Sequence, residues 1–262
     1  MMGFSQPGPE SMQILPVLDL LNGVVVRGVA GRRDEYRPVN SRIAARPDAL
    51  SVARAFRERL GLNRLYVADL DAILYDRPNR DLYRALADDG FELLVDAGLR
   101  RVPEAVAAIR AGALCAIAGL ETWPGPDELR DLCREIGRER VIFSVDLQHG
   151  RPLGNLDAWQ TEDPFRIACQ AVSAGAATLL ILDLAQVGMS SGVTTTELCR
   201  KLLAEFPGLP LITGGGIRDG EDLALLASAG IDQVLLASAL HDGTISRADI
   251  ERAGGSYTTT VD

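Results

Sequence analysis

Eight short apolar runs recur along the chain at near-regular intervals: Ile14–Leu18, Arg64–Ala68, Glu92–Val95, Leu114–Ala118, Val141–Val145, Thr178–Leu182, Pro210–Thr213 and Gln233–Ala237. Each is followed at once by Asp, Gly or Ser. Between most of them lie stretches whose apolar residues repeat about every 3.6 positions, the period of an amphipathic helix. These are Ala49–Leu60, Pro103–Ala111, Pro126–Ile136, Phe165–Ala174, Thr195–Phe206 and Glu221–Ala229. Continuous apolar strands are expected of a parallel sheet covered on both faces. Strand–helix alternation builds right-handed βαβ units, and eight such units close into a (β/α)8 TIM barrel. An open doubly wound sheet is the structural rival, but it seldom uses eight near-equal units.

The two halves of the sequence echo each other, as internal repeats do. Val17-Leu18-Asp19-Leu20, with Gly23 following, matches Ser144-Val145-Asp146-Leu147, with Gly150 following. Ala68-Asp69-Leu70 matches Leu182-Asp183-Leu184. Asp96-Ala97-Gly98-Leu99-Arg100 matches Gly214-Gly215-Gly216-Ile217-Arg218, and Ala111-Gly112 matches Ala229-Gly230. The barrel therefore reads as two half-barrel repeats. It is expected over residues 12–252, with 1–11 a disordered leader, Met12 the expected start, and 253–262 a flexible tail.

Composition narrows the partners. A net charge of −9 argues against nucleic acid or an anionic membrane surface, which both call for basic protein. No apolar run reaches the roughly 18 residues of a membrane span. Cys115, Cys133, Cys169 and Cys199 are far apart with no CxxC or Cys/His spacing, so neither zinc nor a disulfide framework is indicated. A cytoplasmic protein with buried thiols is expected.

Barrel enzymes carry their chemistry on the loops after the strands. The repeat puts Asp19 after the first strand and Asp146 after the fifth, across the mouth from each other. Two such carboxyls, one protonated and one ionised, form a general acid–base pair. Strand-end aspartates also serve as helix caps, and for Asp69, Asp71 and Asp183 that role competes evenly with a functional one. Gly214-Gly215-Gly216 after the seventh strand lets backbone N–H groups approach an anion. Ala237-Ser238 after the eighth strand opens a short helix. Together Gly215, Gly216, Ala237 and Ser238 are expected to hold a phosphate. Arg27, Arg32, Arg33, Arg37 and Arg42 crowd the segment after the first strand, where they would close over an anionic substrate or form a solvated loop. His149 and His241 are too separated to define a metal site, and Trp123 and Trp159 are expected to pack rather than stack on a ligand.

Ile14-Leu15-Pro16-Val17-Leu18-Asp19-Leu20, Val26-Arg27, Val67-Ala68-Asp69-Leu70-Asp71, Ser144-Val145-Asp146 and Gly215-Gly216-Ile217 together resemble the HisA/HisF family, the half-barrel-repeat group of the histidine-biosynthesis isomerase and cyclase. The resemblance runs from about Met12 to about Ile245, and the isomerase arm is the nearer. It implies an Amadori rearrangement of an aminoaldose to an aminoketose, without metal or cofactor and without a glutaminase partner. Asp19 and Asp146 match the catalytic aspartates, and the phosphate residues above match the second phosphate cradle. Arg27, Asp69, Asp96, Gly119, Asp183 and Gly192 are then expected to contact a small phosphorylated substrate.

The chain also departs from the family pattern. The sixth strand typically ends in Thr-Asp with Asp-Gly beyond it; here Leu182-Asp183 precedes Val187-Gly188. Asp96-Ala97-Gly98 stands where the family carries three glycines for the substrate's other phosphate, and Gly-Thr after the fourth strand is Gly119-Leu120-Glu121. Like charges about 4 Å apart repel by roughly 4 kcal/mol at an effective dielectric near 20. Asp96 and Glu121 would thus oppose a phosphate unless Arg100 and Arg101 offset them. A substrate with a single phosphate follows. Three readings stay open: the histidine-pathway isomerase, a relative diverged onto another mono-phosphorylated substrate, and a silent barrel that binds a phosphorylated metabolite.

Overall fold

The computed structural model describes residues 12–254. The expected leader, 1–11, and residues 255–262 of the expected tail lie outside the described residues. Eight parallel strands form a ring: β1 (Gln13–Leu21), β2 (Arg64–Asp69), β3 (Glu92–Asp96), β4 (Ala113–Gly119), β5 (Val141–Gln148), β6 (Thr178–Asp183), β7 (Leu211–Gly214) and β8 (Gln233–Leu236). Neighbours pair in chain order, and β8 returns to β1 through Gln13↔Gln233 to Pro16↔Leu236. Closure leaves no free edge in the ring.

Outside it lie α1 (Ala49–Leu60), α2 (Arg80–Asp88), α3 (Val102–Arg110), α4 (Pro126–Ile136), α5 (Pro164–Ala174), α6 (Thr196–Glu205), α7 (Gly220–Ser228) and the short α8 (Arg247–Arg252). The six helices read from the sequence form with ends that agree to within one residue. The periodicity missed α2, which buries Tyr83 and Leu86 and packs Leu82 and Ala87 against the core.

Alternate residues of a strand face opposite sides of its sheet. Leu15, Tyr66, Leu94, Ile117, Ile142, Leu180, Ile212 and Leu235 fill the barrel interior. Leu18, Val67, Val95, Val145 and Ile181 belong to the other cluster, between strands and helices. Continued to the strand ends, this parity turns Asp19, Asp96 and Asp146 inward. It turns Asp69 and Asp183 outward.

The outward pair carries structural hydrogen bonds. Fully buried Asp69 accepts from the N–H of Ala72 (3.1 Å), from Asn79 N (2.7 Å) and Asn79 Nδ2 (2.8 Å), and from the Tyr83 hydroxyl. Asp183 accepts from the N–H groups of His149, Gly150 and Ala185. It thereby holds the turn at His149-Gly150, where β5 folds back into Arg151–Pro152. On the other half, Asp71 accepts from Asn22 N at the turn joining β1 to the antiparallel strand Val24–Arg27. A substitution that leaves buried donors without a partner is costly. Asp69→Ala is expected to lower unfolding stability by about 3 kcal/mol in urea titrations; a loss under about 0.5 kcal/mol would show that these bonds do not hold the β2–α2 connection.

Candidate active site

At the carboxyl ends of the strands the barrel opens into a cavity of about 370 Å³. That volume is in the range for a small-molecule site. Of the residues expected to act, Asp19, Asp96, Gly119, Asp146, Gly215, Gly216, Ala237 and Ser238 all line it. The strand register brings them to one level. Asp19, Ala68 and Asp96 are successive Cα partners across β1, β2 and β3. Asp146, Leu182 and Gly214 are successive partners across β5, β6 and β7. These are the same three pairs that echo each other between the sequence halves.

Asp19 and Asp146 touch cavity solvent, yet both sit deep in the mouth. Burial pushes the Asp19 carboxyl up to about 7; the Gly28 backbone N–H pulls the other way, and the charge of Asp96 adds to the rise. Asp146 is likewise pushed up to about 7 by burial, with Asp96 and Glu121 adding to the rise. The Ser144 hydroxyl, which donates to Asp146 Oδ1 at 2.6 Å, opposes it. Both carboxyls have close glycine neighbours: a methyl at Gly28 would stand 3.1 Å from Asp19 Oδ2, and one at Gly119 would stand 3.1 Å from Asp146 Oδ2. A side chain at either glycine would press on the neighbouring carboxylate.

Across the cavity, Gly215 and Gly216 adopt φ of +82° and +81°, which side chains other than glycine rarely take. Ser238 opens the short helix Ser238–Asp242 beside them. The loop after β6 straps this region to the loop after β1. Gly192 donates its N–H to the Gly216 carbonyl (2.9 Å), and Ala30 donates to the Val187 carbonyl (2.7 Å).

Other expected contacts lie elsewhere. Asp69 and Asp183 spend their carboxylates on the structural hydrogen bonds of the outer face, for the reason of parity given above. Arg27 sits at the rim, where its guanidinium makes a two-pronged bond to Asp242 (2.9 and 2.5 Å) rather than reaching into the cavity. Gly192 borders Gly216 without lining the cavity. In the arginine-rich loop, Arg32 pairs with Glu35 and Arg37 donates to the carbonyls of Asp34 and Tyr36. Arg100 donates to the Gly98 carbonyl and Arg101 to Glu104, so neither offsets the acids of the mouth. Among the described residues that line the cavity there is no Arg, Lys or His. His241 is buried beside Ser41, and burial pushes it down to about 4. Trp123 and Trp159 are buried, Trp159 against Phe143.

Two residues of the site escaped the sequence reading. Tyr66 and Ser144 both face inward and meet Asp96 and Asp146. Strand parity counted back from Asp146 and Ala68 would have found them.

A closed barrel with paired acids and a glycine turn at its mouth defines the class of small-molecule enzymes that use this face. The family model described as histidine biosynthesis protein matches residues 13–246. The chain belongs to that HisA/HisF family. It is similar to an uncharacterized protein of Methanocaldococcus jannaschii, 32% identical over 91% of this chain and 97% of the relative. It is also similar to the phosphoribosyl imidazole-4-carboxamide isomerases of Methanoregula boonei (29% identical, 91% of this chain and 98% of the relative) and Streptococcus sanguinis (27%, 93% and 98%). At the level of the family, the chain is a HisA-like isomerase. No helix among the described residues is long and apolar enough to cross a membrane.

The paired acids also set a stability expectation. The unfolded chain loses their protons near pH 4, whereas the folded protein keeps them to about 7. Folding therefore takes up protons between these limits. The stability this contributes is complete below about pH 4 and lost as pH rises through about 7. Asp19→Asn, which never ionises, is expected to exceed the parent's stability by about 1–2 kcal/mol near pH 8, a figure reduced for cavity water. The gain should vanish near pH 3.5, and urea titrations at several pH values check it. Equal stability of variant and parent near pH 8 would contradict the raised carboxyl.

Proposed function

We propose that the protein is a cofactor-free aldose–ketose isomerase of the Amadori type, acting on a phosphorylated, sugar-like substrate. The observation that carries this reading is the pair of carboxyls, Asp19 and Asp146, both poised near neutrality on one cavity. A catalytic acid or base works best with its pKa near the operating pH. Near neutrality each of the two is protonated about half the time, so states with one proton on the pair are well populated. The protonated carboxyl donates to the ring oxygen of the aminoaldose, whose C1–O bond breaks to leave an iminium. The ionised carboxyl takes the proton from C2, and the electron pair of that C–H bond neutralises the iminium as an enolamine. The second carboxyl then returns its proton to C1 while the C2 hydroxyl gives its proton to the first carboxylate, which yields the aminoketose and restores both acids, so no redox partner is needed. The N–H groups of Gly215 and Gly216 and the Ser238 hydroxyl bind the phosphate and hold the sugar over the acids.

Asp19→Asn and Asp146→Asn are each expected to cut kcat by about 10³-fold while binding of inorganic phosphate, read by calorimetry, stays within about twofold. Gly216→Ala should instead lose phosphate binding, because its methyl would stand 2.4 Å from the Gly192 carbonyl oxygen. Parent-like turnover in either Asn variant would overturn the acid–base assignment.

A second reading rests on Asp96, which holds in the first half the register place that Gly214 holds in the second. Asp96 and Glu121 both line the cavity, and acidic groups at this end favour a substrate with one phosphate. Complementation of a histidine auxotroph separates the two readings: growth supports the histidine-pathway isomerase, and failure with an intact phosphate site supports the diverged relative.

A further inference from the structure

The inward column of β5 carries Ile142, Ser144 and Asp146. Around it the barrel interior is lined by apolar side chains, among them Ile117, Leu180 and Ile212. Ser144 is 1% exposed and does not line the cavity, so a substrate would not touch it. A buried hydroxyl needs a partner, and this one donates to Oδ1 of Asp146 at 2.6 Å. The other oxygen, Oδ2, lies on the side of Gly119, where a methyl would stand 3.1 Å away, and Gly119 lines the cavity.

The two halves of the barrel differ at this point. Val17 stands two residues before Asp19, in the place that Ser144 holds before Asp146, and its side chain offers no donor. Asp19 accepts instead from the Gly28 N–H, in the segment after β1. Asp146 also accepts from the Glu121 N–H, a backbone group that no substitution at position 144 removes. Only one of the paired acids is therefore braced by a side chain of its own strand.

We propose that Ser144 is a positioning residue for the reaction: its buried hydroxyl holds Oδ1 of Asp146 and thereby aims Oδ2 at the substrate for proton transfer. This rests on the reading of Asp19 and Asp146 as the acid–base pair. The terminal torsion of an aspartate is broad, so a bond at one oxygen sets which edge of the carboxyl faces the cavity. Misplacing a reacting group by about 1 Å costs up to about 10²-fold in rate.

The test compares Ser144→Ala, Ser144→Val and Ser144→Thr with the parent in the full chain. Val and Thr add the same volume, and only Thr keeps the hydroxyl, so the pair separates hydrogen bonding from packing. The first readout is a ¹³C NMR titration of the side-chain carboxyls, which needs no turnover. A donor to the ionised form lowers a carboxyl's midpoint, so its loss in Ser144→Ala and Ser144→Val is expected to raise that of Asp146 by about one pH unit. Ser144→Thr should stay within about 0.3 unit of the parent. Asp19 faces Asp146 across the mouth, Tyr66 from β2, Asp96 from β3, Glu121 from the loop after β4, and the apolar Leu182 from β6. All are common to the four proteins, so a difference between midpoints reports the hydroxyl. The second readout is kinetic: Ser144→Ala and Ser144→Val should lower kcat by about tenfold with KM within about twofold, and Ser144→Thr should restore kcat. An Asp146 midpoint that stays at the parent's value in Ser144→Ala would overturn the proposal, as would a Thr variant that behaves like Val in either readout. Should Ser144→Val not fold, Ala and Thr decide between them. The isomerase reading fails separately, if Asp146→Asn keeps parent turnover.

Discussion

Closure of β8 onto β1 is the constraint on which the rest of this molecule depends. Once the sheet is a ring, each strand has an inside and an outside, and the two-residue period sorts every side chain between them. The interior fills with Leu15, Leu94, Ile117, Ile142 and their neighbours, which floors the cavity with apolar side chains. Whatever acidic group ends an inward column then stands in a partly dry mouth. Desolvation there raises Asp19 and Asp146 toward neutrality, and water alone would have left them ionised.

The same sorting gives chemically identical residues different work. Asp69 and Asp183 end outward columns, and there they meet backbone N–H groups instead of a ligand. Their carboxylates are satisfied, and they brace the connections that carry the site. Asp19 and Asp146, which end columns of the opposite parity, have fewer hydrogen-bond donors and border the cavity. The site therefore keeps its acids poised at some cost in folding stability near neutral pH, a common arrangement in active sites.

The cavity is lopsided in charge. One end offers the N–H groups of Gly215 and Gly216 beside Ser238, and the other presents Asp96 and Glu121. Arg27, Arg100 and Arg101 are each bonded outside the cavity. Membership of the HisA/HisF family accounts for the scaffold. The asymmetry bears on which substrate such a scaffold would accept.

Strand count, helix ends and the ordered echoes between halves were legible in the sequence, because the period of apolar residues is a local property that survives in one dimension. So was the position of Asp19, Asp146 and the glycines at strand ends. Helix α2 was not, although Leu82, Tyr83 and Leu86 give it an apolar face. The partners of each polar group were not legible either. That Arg27 turns to Asp242, 215 positions away, is decided by how the loop after β1 meets the helix after β8. That Tyr66 meets Asp96 follows from the register of β2 on β3. Local pattern thus determined the elements and the residues at their ends. Only the closed tertiary structure decided which of those residues share a cavity, because burial and hydrogen-bond partners arise from contacts between strands and loops far apart in the chain.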